Sequence, residues 1–230
     1  VFGACTSITS VTIHDNVTYI ASGAFQDCSN LSNIKFSKNI TEIGTSAFSR
    51  CINLTNIILP DKLTKIESQA FFRCPITDLV IPETVTYIDG QAFYGCSKTL
   101  NSIVVAENNQ HYYSKNNCLI EISSGTLILG CNNSIIPDDG SVQKIGYSAF
   151  LECGKLEAIV IPSSVITIEQ SAFNGCYNLK SITILSGTIP IDYRAFICCS
   201  SLTTIILPNC LTVINIGAFS TCVNIHLVSF

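Results

Sequence analysis

Thirteen cysteines and three histidines are the residues of this 230-residue chain with the most chemistry to offer, as nucleophiles, metal ligands or disulfide partners. Each use demands its own spacing. A structural zinc site takes paired thiolates, whereas no two cysteines here are spaced C-x-x-C, and His14, His111 and His226 are scattered. A nucleophilic thiol must be exposed and have a lowered pKa. Nine of the cysteines instead share one register: Cys5, Cys28, Cys51, Cys74, Cys96, Cys153, Cys176, Cys199 and Cys222 each follow a phenylalanine by three residues. Side chains in one register of a repeat point the same way, and a disulfide needs Cβ vectors that face each other. These nine read as a buried ladder of thiols behaving as small apolar groups. No H-E-x-x-H, G-x-S-x-G, G-x-x-x-x-G-K-[ST] or G-x-G-x-x-G occurs, so no catalytic constellation is found and no cofactor is expected. Asp138-Asp139 beside Gly140 reads as a turn, and Asn30, Asn53, Asn178 and Asn224 read as turn caps.

The elements that set this register are repeats. Phe2, Phe25, Phe48, Phe71, Phe93, Phe150, Phe173, Phe196 and Phe219 are separated by 23, 23, 23, 22, 57, 23, 23 and 23 residues, and all but the first follow an alanine. Each unit continues with apolar positions written L-x-x-I-x-I, as in Leu31, Ile34 and Phe36 or Leu156, Ile159 and Ile161. Pro60, Pro82, Pro162 and Pro208 close such runs, as suits a residue with no N–H to give a sheet. A second apolar pair follows, as in Ile40 and Ile43 or Val165 and Ile168. A unit of about 23 residues cannot bury its apolar face alone, so neighbours must stack into a solenoid. The expected class is α/β: a parallel β-sheet on one face, with extended segments and a short helical or 3₁₀ turn bearing Ala, Phe and Cys on the other.

The pattern I-G-x-x-A-F-x-x-C-x-x-L-x-x-I-x-I, carried by Ile43-Gly44-Thr45-Ser46-Ala47-Phe48-Ser49-Arg50-Cys51-Ile52-Asn53-Leu54, resembles the leucine-rich repeat of BspA-like surface proteins, also called the Treponema pallidum type. The resemblance covers nearly the whole chain. It implies a leucine-rich-repeat solenoid at a cell surface or secreted, on bacteria of mucosal habitats or on parasitic protists. It also implies adhesion to a protein ligand, such as a host extracellular-matrix or cell-surface protein. One leucine-rich-repeat domain is expected over residues 1–230, cut from a longer protein at both ends.

The 57-residue step holds the one departure, an insertion or enlarged coil over residues 106–141. Its polar loop carries Tyr112 and Tyr113, two further candidates for partner contact. Cys118–Ile122 and Thr126–Cys131 flank Ser124-Gly125 as the arms of a hairpin. A turn centred there pairs positions summing to 249 and sets Cys118 opposite Cys131, as a cross-strand disulfide or as two buried thiols.

Binding is expected on the outward face of the strands. Side chains alternate across a sheet, so the column between the second and third core positions points outward: Thr12, Lys35, Ile58, Val80, Val104, Val160, Thr183, Ile206 and Ser229. Five are β-branched aliphatics, beside a polar column of Ser10, Asn33, Asn56, Asp78 and Ser102. That is the look of a protein-binding stripe, or of strand propensity alone, or of a face for self-association. Lys35, Ile58, Val80, Val104, Val160, Thr183 and Ile206 are the candidate contacts. With 12 Lys plus Arg against 16 Asp plus Glu and no basic run, the footprint of a nucleic-acid binder is missing. No apolar run approaches a bilayer's thickness, so this segment is not expected to insert in a membrane. Five sequons, at Asn16, Asn30, Asn39, Asn53 and Asn132, would matter only on a eukaryotic secretory route. The sequence thus points to a non-enzymatic, adhesion-type binding domain, with a structural spacer or self-assembling stalk as the alternative.

Overall fold

A computed structural model describes residues 2–185 and 190–229. They form two compact units, Val1–Tyr113 and Ser114–Phe230. The first contains β1 (Ser10–Thr12), β2 (Tyr19–Ile20), β3 (Asn33–Lys35), β4 (Glu42–Ile43), β5 (Lys65–Ile66), β6 (Asp78–Ile81), β7 (Tyr87–Ile88) and β8 (Ser102–Val105), and β9 (Tyr112–Lys115) leads into the second. There follow β10 (Cys118–Glu121), β11 (Thr126–Leu129), β12 (Lys144–Ile145), β13 (Ala158–Ile161), β14 (Thr167–Ile168), β15 (Ser181–Ile184), β16 (Pro190–Ile191), β17 (Thr204–Ile206), β18 (Val213–Ile214) and β19 (Leu227–Ser229).

Each coil has three sides. On the first, longer strands pair in parallel one repeat apart: β1 with β3 and β6 with β8, then β13, β15, β17 and β19 in order. The third coil contributes only an isolated bridge, Asn56 to Asp78. On the second side, two-residue strands pair in the orders β2-β4-β5-β7 and β12-β14-β16-β18. Inward residues such as Leu54, Leu79, Ile81, Ile159 and Ile182 are buried while their neighbours face water. Each such buried aliphatic contributes about 1.5–3 kcal/mol.

The third side carries Ala, Phe and Cys, and here the expected helical or 3₁₀ turn is absent among the described residues. The backbone explains the difference. Two residues before and two after the phenylalanine, the chain turns left-handed: Ser46 and Arg50 have φ of 56° and 60° around Phe48, and Gln69 and Arg73 have φ of 55° around Phe71. Successive turns of that kind cannot propagate a right-handed helix. They split the amides into two sets. Ala47, Ser49 and Cys51 donate backward by three residues, to Gly44, Ser46 and Phe48. Ser46, Phe48 and Arg50 donate to Ser68, Ala70 and Phe72 of the next coil. A helix would spend all these donors internally; this ribbon spends half of them on stacking.

That stacking brings the phenylalanines face to face. Phe2, Phe25, Phe48, Phe71 and Phe93 form one column with ring centroids 5.3–5.5 Å apart. Phe150, Phe173, Phe196 and Phe219 form another at 4.8–5.2 Å. The cysteine column has a polar role that its apolar reading misses. Cys28, Cys51, Cys74, Cys96, Cys176, Cys199 and Cys222 each donate S–H to the phenylalanine carbonyl of the preceding coil, at 3.0–3.3 Å. Phe48, for example, accepts the Cys51 amide from its own coil and the Cys74 thiol from the next. Both lone pairs of a buried carbonyl are thereby used.

In the second unit β10 and β11 pair antiparallel. Their register is not the one expected from a turn at Ser124-Gly125. Glu121 pairs with Thr126 and Ile120 with Leu127, and a bulge then sets Leu119 against Leu129. The turn has four residues, closed by the Gly125 amide on the Glu121 carbonyl with Gly125 at φ 62°. Cys118 and Cys131 remain thiols, with Cys118 Sγ near the Asn116 and Ile135 carbonyls. β11 also pairs in parallel with β12, Leu127 against Ile145, so it serves as the preceding coil's short strand. Gly130 next donates to the Ala149 carbonyl, as Phe48 does to Ala70 and Phe150 to Ala172. A Cβ on Gly130 would lie 2.2 Å from Phe150 Cε1, so the Phe150 ring occupies that slot.

Two glycine substitutions should therefore act in opposite directions. Gly130→Ala should cost about 1–3 kcal/mol by overpacking against Phe150, whereas Ser46→Gly should stabilise by about 1 kcal/mol by relieving a left-handed residue. Urea titrations of the two variants check this; equal and opposite signs to those stated would contradict the ribbon geometry. The thiols give a second prediction. Burial holds those of Cys96 and Cys118 up to about 12 against an ordinary 9.0. As pH rises the unfolded chain loses these protons first, so stability should be level up to about pH 9 and fall between 9 and 12. A thiol reagent near neutral pH should reach exposed Cys210 first and half-buried Cys5, Cys198 and Cys222 more slowly. The nine buried cysteines should react only in denaturant.

Candidate functional site

The chemistry-bearing groups do not converge. Among the described residues no three His, Cys, Asp or Glu side chains are grouped to hold a metal ion. His14, His111 and His226 are exposed, and His226 Nδ1 lies 2.8 Å from the Asn224 carbonyl. Burial pushes the Cys74 and Cys176 thiols up as well, which keeps them protonated and unreactive at neutral pH. Among the described residues no helix is long and apolar enough to cross a membrane.

The longer strands hold the outward column in place. In the first unit Val80 and Val104 are direct partners on β6 and β8, and Lys35 faces outward from β3. Ile58 belongs to no strand, yet it is 86% exposed and lines one groove with Val80 and another with Lys35. In the second unit Val160, Thr183, Ile206 and Ser229 follow one another across β13, β15, β17 and β19. Val160 and Ile206 are exposed and Thr183 is half-buried. Parallel strands stand about 4.8 Å apart, so the second set makes a continuous stripe, and in the first unit Val80 and Val104 stand side by side.

Tyr112 does not belong with them. It is 2% exposed, and its phenol oxygen accepts the Ile88 amide at 2.8 Å. That amide ends β7, which has no further short strand of its own sheet beside it. Asn109 completes the closure of this coil. Its amide donates to the Pro82 and Val85 carbonyls and its Oδ1 accepts the His111 and Tyr112 amides. Polar composition suggested a surface loop; the satisfied buried amide makes the segment structural. Tyr113 is half-buried, and its hydroxyl has no partner among the described residues.

Grooves border the stripes. One of about 450 Å³ is lined by Ile58, Val80, Asp61, Pro82 and Glu83, and an adjoining one of about 530 Å³ by Lys35, Phe36, Lys38, Ile58 and Asp61. A third, of about 330 Å³ in the second unit, is lined by Ile135, Asp138, Val160 and Leu185. Lys38, Asp61, Glu83 and Asp138 at these rims escape a strand-based reading because they sit outside the strands, where turn chemistry explains an Asp or Glu just as well. Ile135 and Leu185, both exposed, were hidden for the same reason. Asp78, beside Val80, has its carboxyl held below the usual range by hydrogen bonds from the Ser102 and Thr77 hydroxyls.

The other outward column contrasts with this one. Tyr19, Glu42, Lys65 and Tyr87 follow one another across β2, β4, β5 and β7. Lys65 pairs there with Glu67 and Glu42, and its ammonium lies 5.6 Å from the Tyr87 ring centre. Those side chains satisfy one another, while the aliphatic stripe meets only water.

Comparison with known proteins places this geometry. The leucine-rich repeat protein from Eubacterium ventriosum is similar over 97% of this chain and 73% of its own, with 20% identity and a TM-score of 0.70. A leucine rich cell surface protein from Faecalibacterium prausnitzii is 26% identical over 96% of this chain and 79% of its own, with a TM-score of 0.63. The pneumococcal vaccine antigen PcpA shares the fold at 18% identity and a TM-score of 0.56, over 91% of this chain and 69% of its own. No curated protein matches the chain. Residues 1–101 and 143–230 match the BspA type leucine rich repeat region in six copies, with the gap falling on the irregular segment that holds the hairpin. The chain belongs to the BspA-type leucine-rich-repeat family.

Proposed function

We propose that this chain is a non-enzymatic, adhesion-type binding domain of a cell-surface or secreted protein, recognising a protein ligand through the outward face of its longer strands. The observation that carries the reading is the row Ile58, Val80 and Val104, three exposed β-branched aliphatics side by side on solvent-facing positions. Strand propensity applies equally to the short strands of the first unit, whose outward column is instead tyrosine and paired charge. Propensity alone therefore leaves the difference unexplained, whereas a partner that covers one face and not the other accounts for it. Val160 and Ile206 extend the same chemistry in the second unit. The name of the Faecalibacterium relative, a cell surface protein, supports the location. A host extracellular-matrix or cell-surface protein is the partner we favour.

A titration of the chain against immobilised matrix proteins and epithelial cells tests the reading, with the double variant Val80→Glu, Val160→Glu alongside. Saturable binding should weaken by about tenfold or more in the variant, because each new carboxylate would be buried unpaired at the interface. Its melting temperature should match the parent, since both valines are exposed. Unchanged affinity would remove the stripe from the interface, and no binding by either protein would favour the spacer.

A further inference from the structure

The two grooves of the first unit share Ile58, Leu59 and Asp61 and so form one trough across neighbouring coils. Its charge is polarised. Lys35 and Lys38 stand on the coil before Ile58, Asp61 on the coil of Ile58 itself, where it lines both grooves, and Glu83 on the coil after, all four exposed. Ile58 and Val80, on the same two coils as Asp61 and Glu83, form the uncharged ground beside them. Lys38 has a partner in Asp15 at 3.2 Å, but both side chains are more than half exposed and exchange readily with water or a ligand. The groove of the second unit shows no such opposition, since Asp138 is the one charged residue that lines it.

From this polarity we propose that the first unit takes an extended peptide segment carrying a carboxylate, an aliphatic side chain and a Lys or Arg on one face. The aliphatic group sits against Ile58 and Val80, the carboxylate over Lys35 and Lys38, and the cation over Asp61 and Glu83. The inference rests on the protein-binding reading and specifies the chemistry of the bound segment. Spacing follows from strand geometry. The coil of Lys35 and that of Glu83 are two steps apart, about 10 Å, while same-face residues i, i+2 and i+4 of an extended chain span about 13 Å. The flexible lysine and glutamate side chains cover the difference. Opposed charges at the two ends also reject segments with the wrong order or sign, which a purely aliphatic stripe cannot do.

Three end-blocked synthetic peptides with isoleucine at i+2 test this on the whole chain by fluorescence titration: Glu and Lys at i and i+4, Lys at both, and Glu at both. The mixed-charge peptide should bind about tenfold tighter than either other, and its advantage should shrink as salt rises. Asp61→Lys with Glu83→Lys should shift the preference to the all-Glu peptide, and Lys35→Glu with Lys38→Glu to the all-Lys peptide. Melting curves of these surface variants show that the fold persists. Equal affinities, or a rank order indifferent to the swaps, would overturn the proposal. If a matrix protein binds through Val80 but is indifferent to both charge swaps, the peptide chemistry fails and the protein-binding reading stands. If nothing binds, both fail.

Discussion

The amide of Phe48 donates to Ala70 on the next coil, while the amide of Ala47 closes a turn on Gly44 of its own. This division of donors, repeated at Phe25, Phe71, Phe150, Phe173 and Phe196, is what the rest of each unit depends on. It fixes the spacing between coils, and the rings must then lie face to face with centroids about 5 Å apart. The same spacing lets the thiol of Cys74 reach the second lone pair of the Phe48 carbonyl. Strand register follows from it too, because one repeat of chain must return to the same point in every coil. The outward columns are therefore lined up by a hydrogen-bond pattern on a different side of the coil.

Sequence spacing alone revealed the stacking, since Phe and Cys at fixed register need only be counted. It did not reveal the ribbon. Ser46, Arg50 and Gln69 are not residues whose type announces a left-handed φ, so a compact Ala-Phe-Cys turn reads naturally as helical. Around Phe48 the structure tolerates that strain because each amide from Ser46 to Cys51 gains a partner. Tyr112 failed for a related reason: a tyrosine in a polar loop looks like a contact residue until its hydroxyl is seen to take the Ile88 amide. The hairpin was visible as two apolar runs about a glycine. Its register was not, because a turn two residues longer and a bulge after Leu119 move every pair.

Of the candidate surface, the strand column was legible because alternation places every second side chain outward. The groove rims were not, since Asp61 and Glu83 lie outside the strands and are brought beside Ile58 and Val80 only by the fold. What distinguishes the two solvent faces is whether their side chains are already satisfied. Lys65 has its carboxylates and its ring. Ile58 has only water, and burying it is where association gains most.

Amide hydrogen exchange, resolved residue by residue under native conditions, tests the central claim most directly. The account predicts that Phe48, Phe71, Phe150 and Phe173 amides exchange only as slowly as the strand amides of Leu79 and Ile159, because both sets bridge coils. Exchange of those phenylalanine amides at the rate of exposed turns would contradict it.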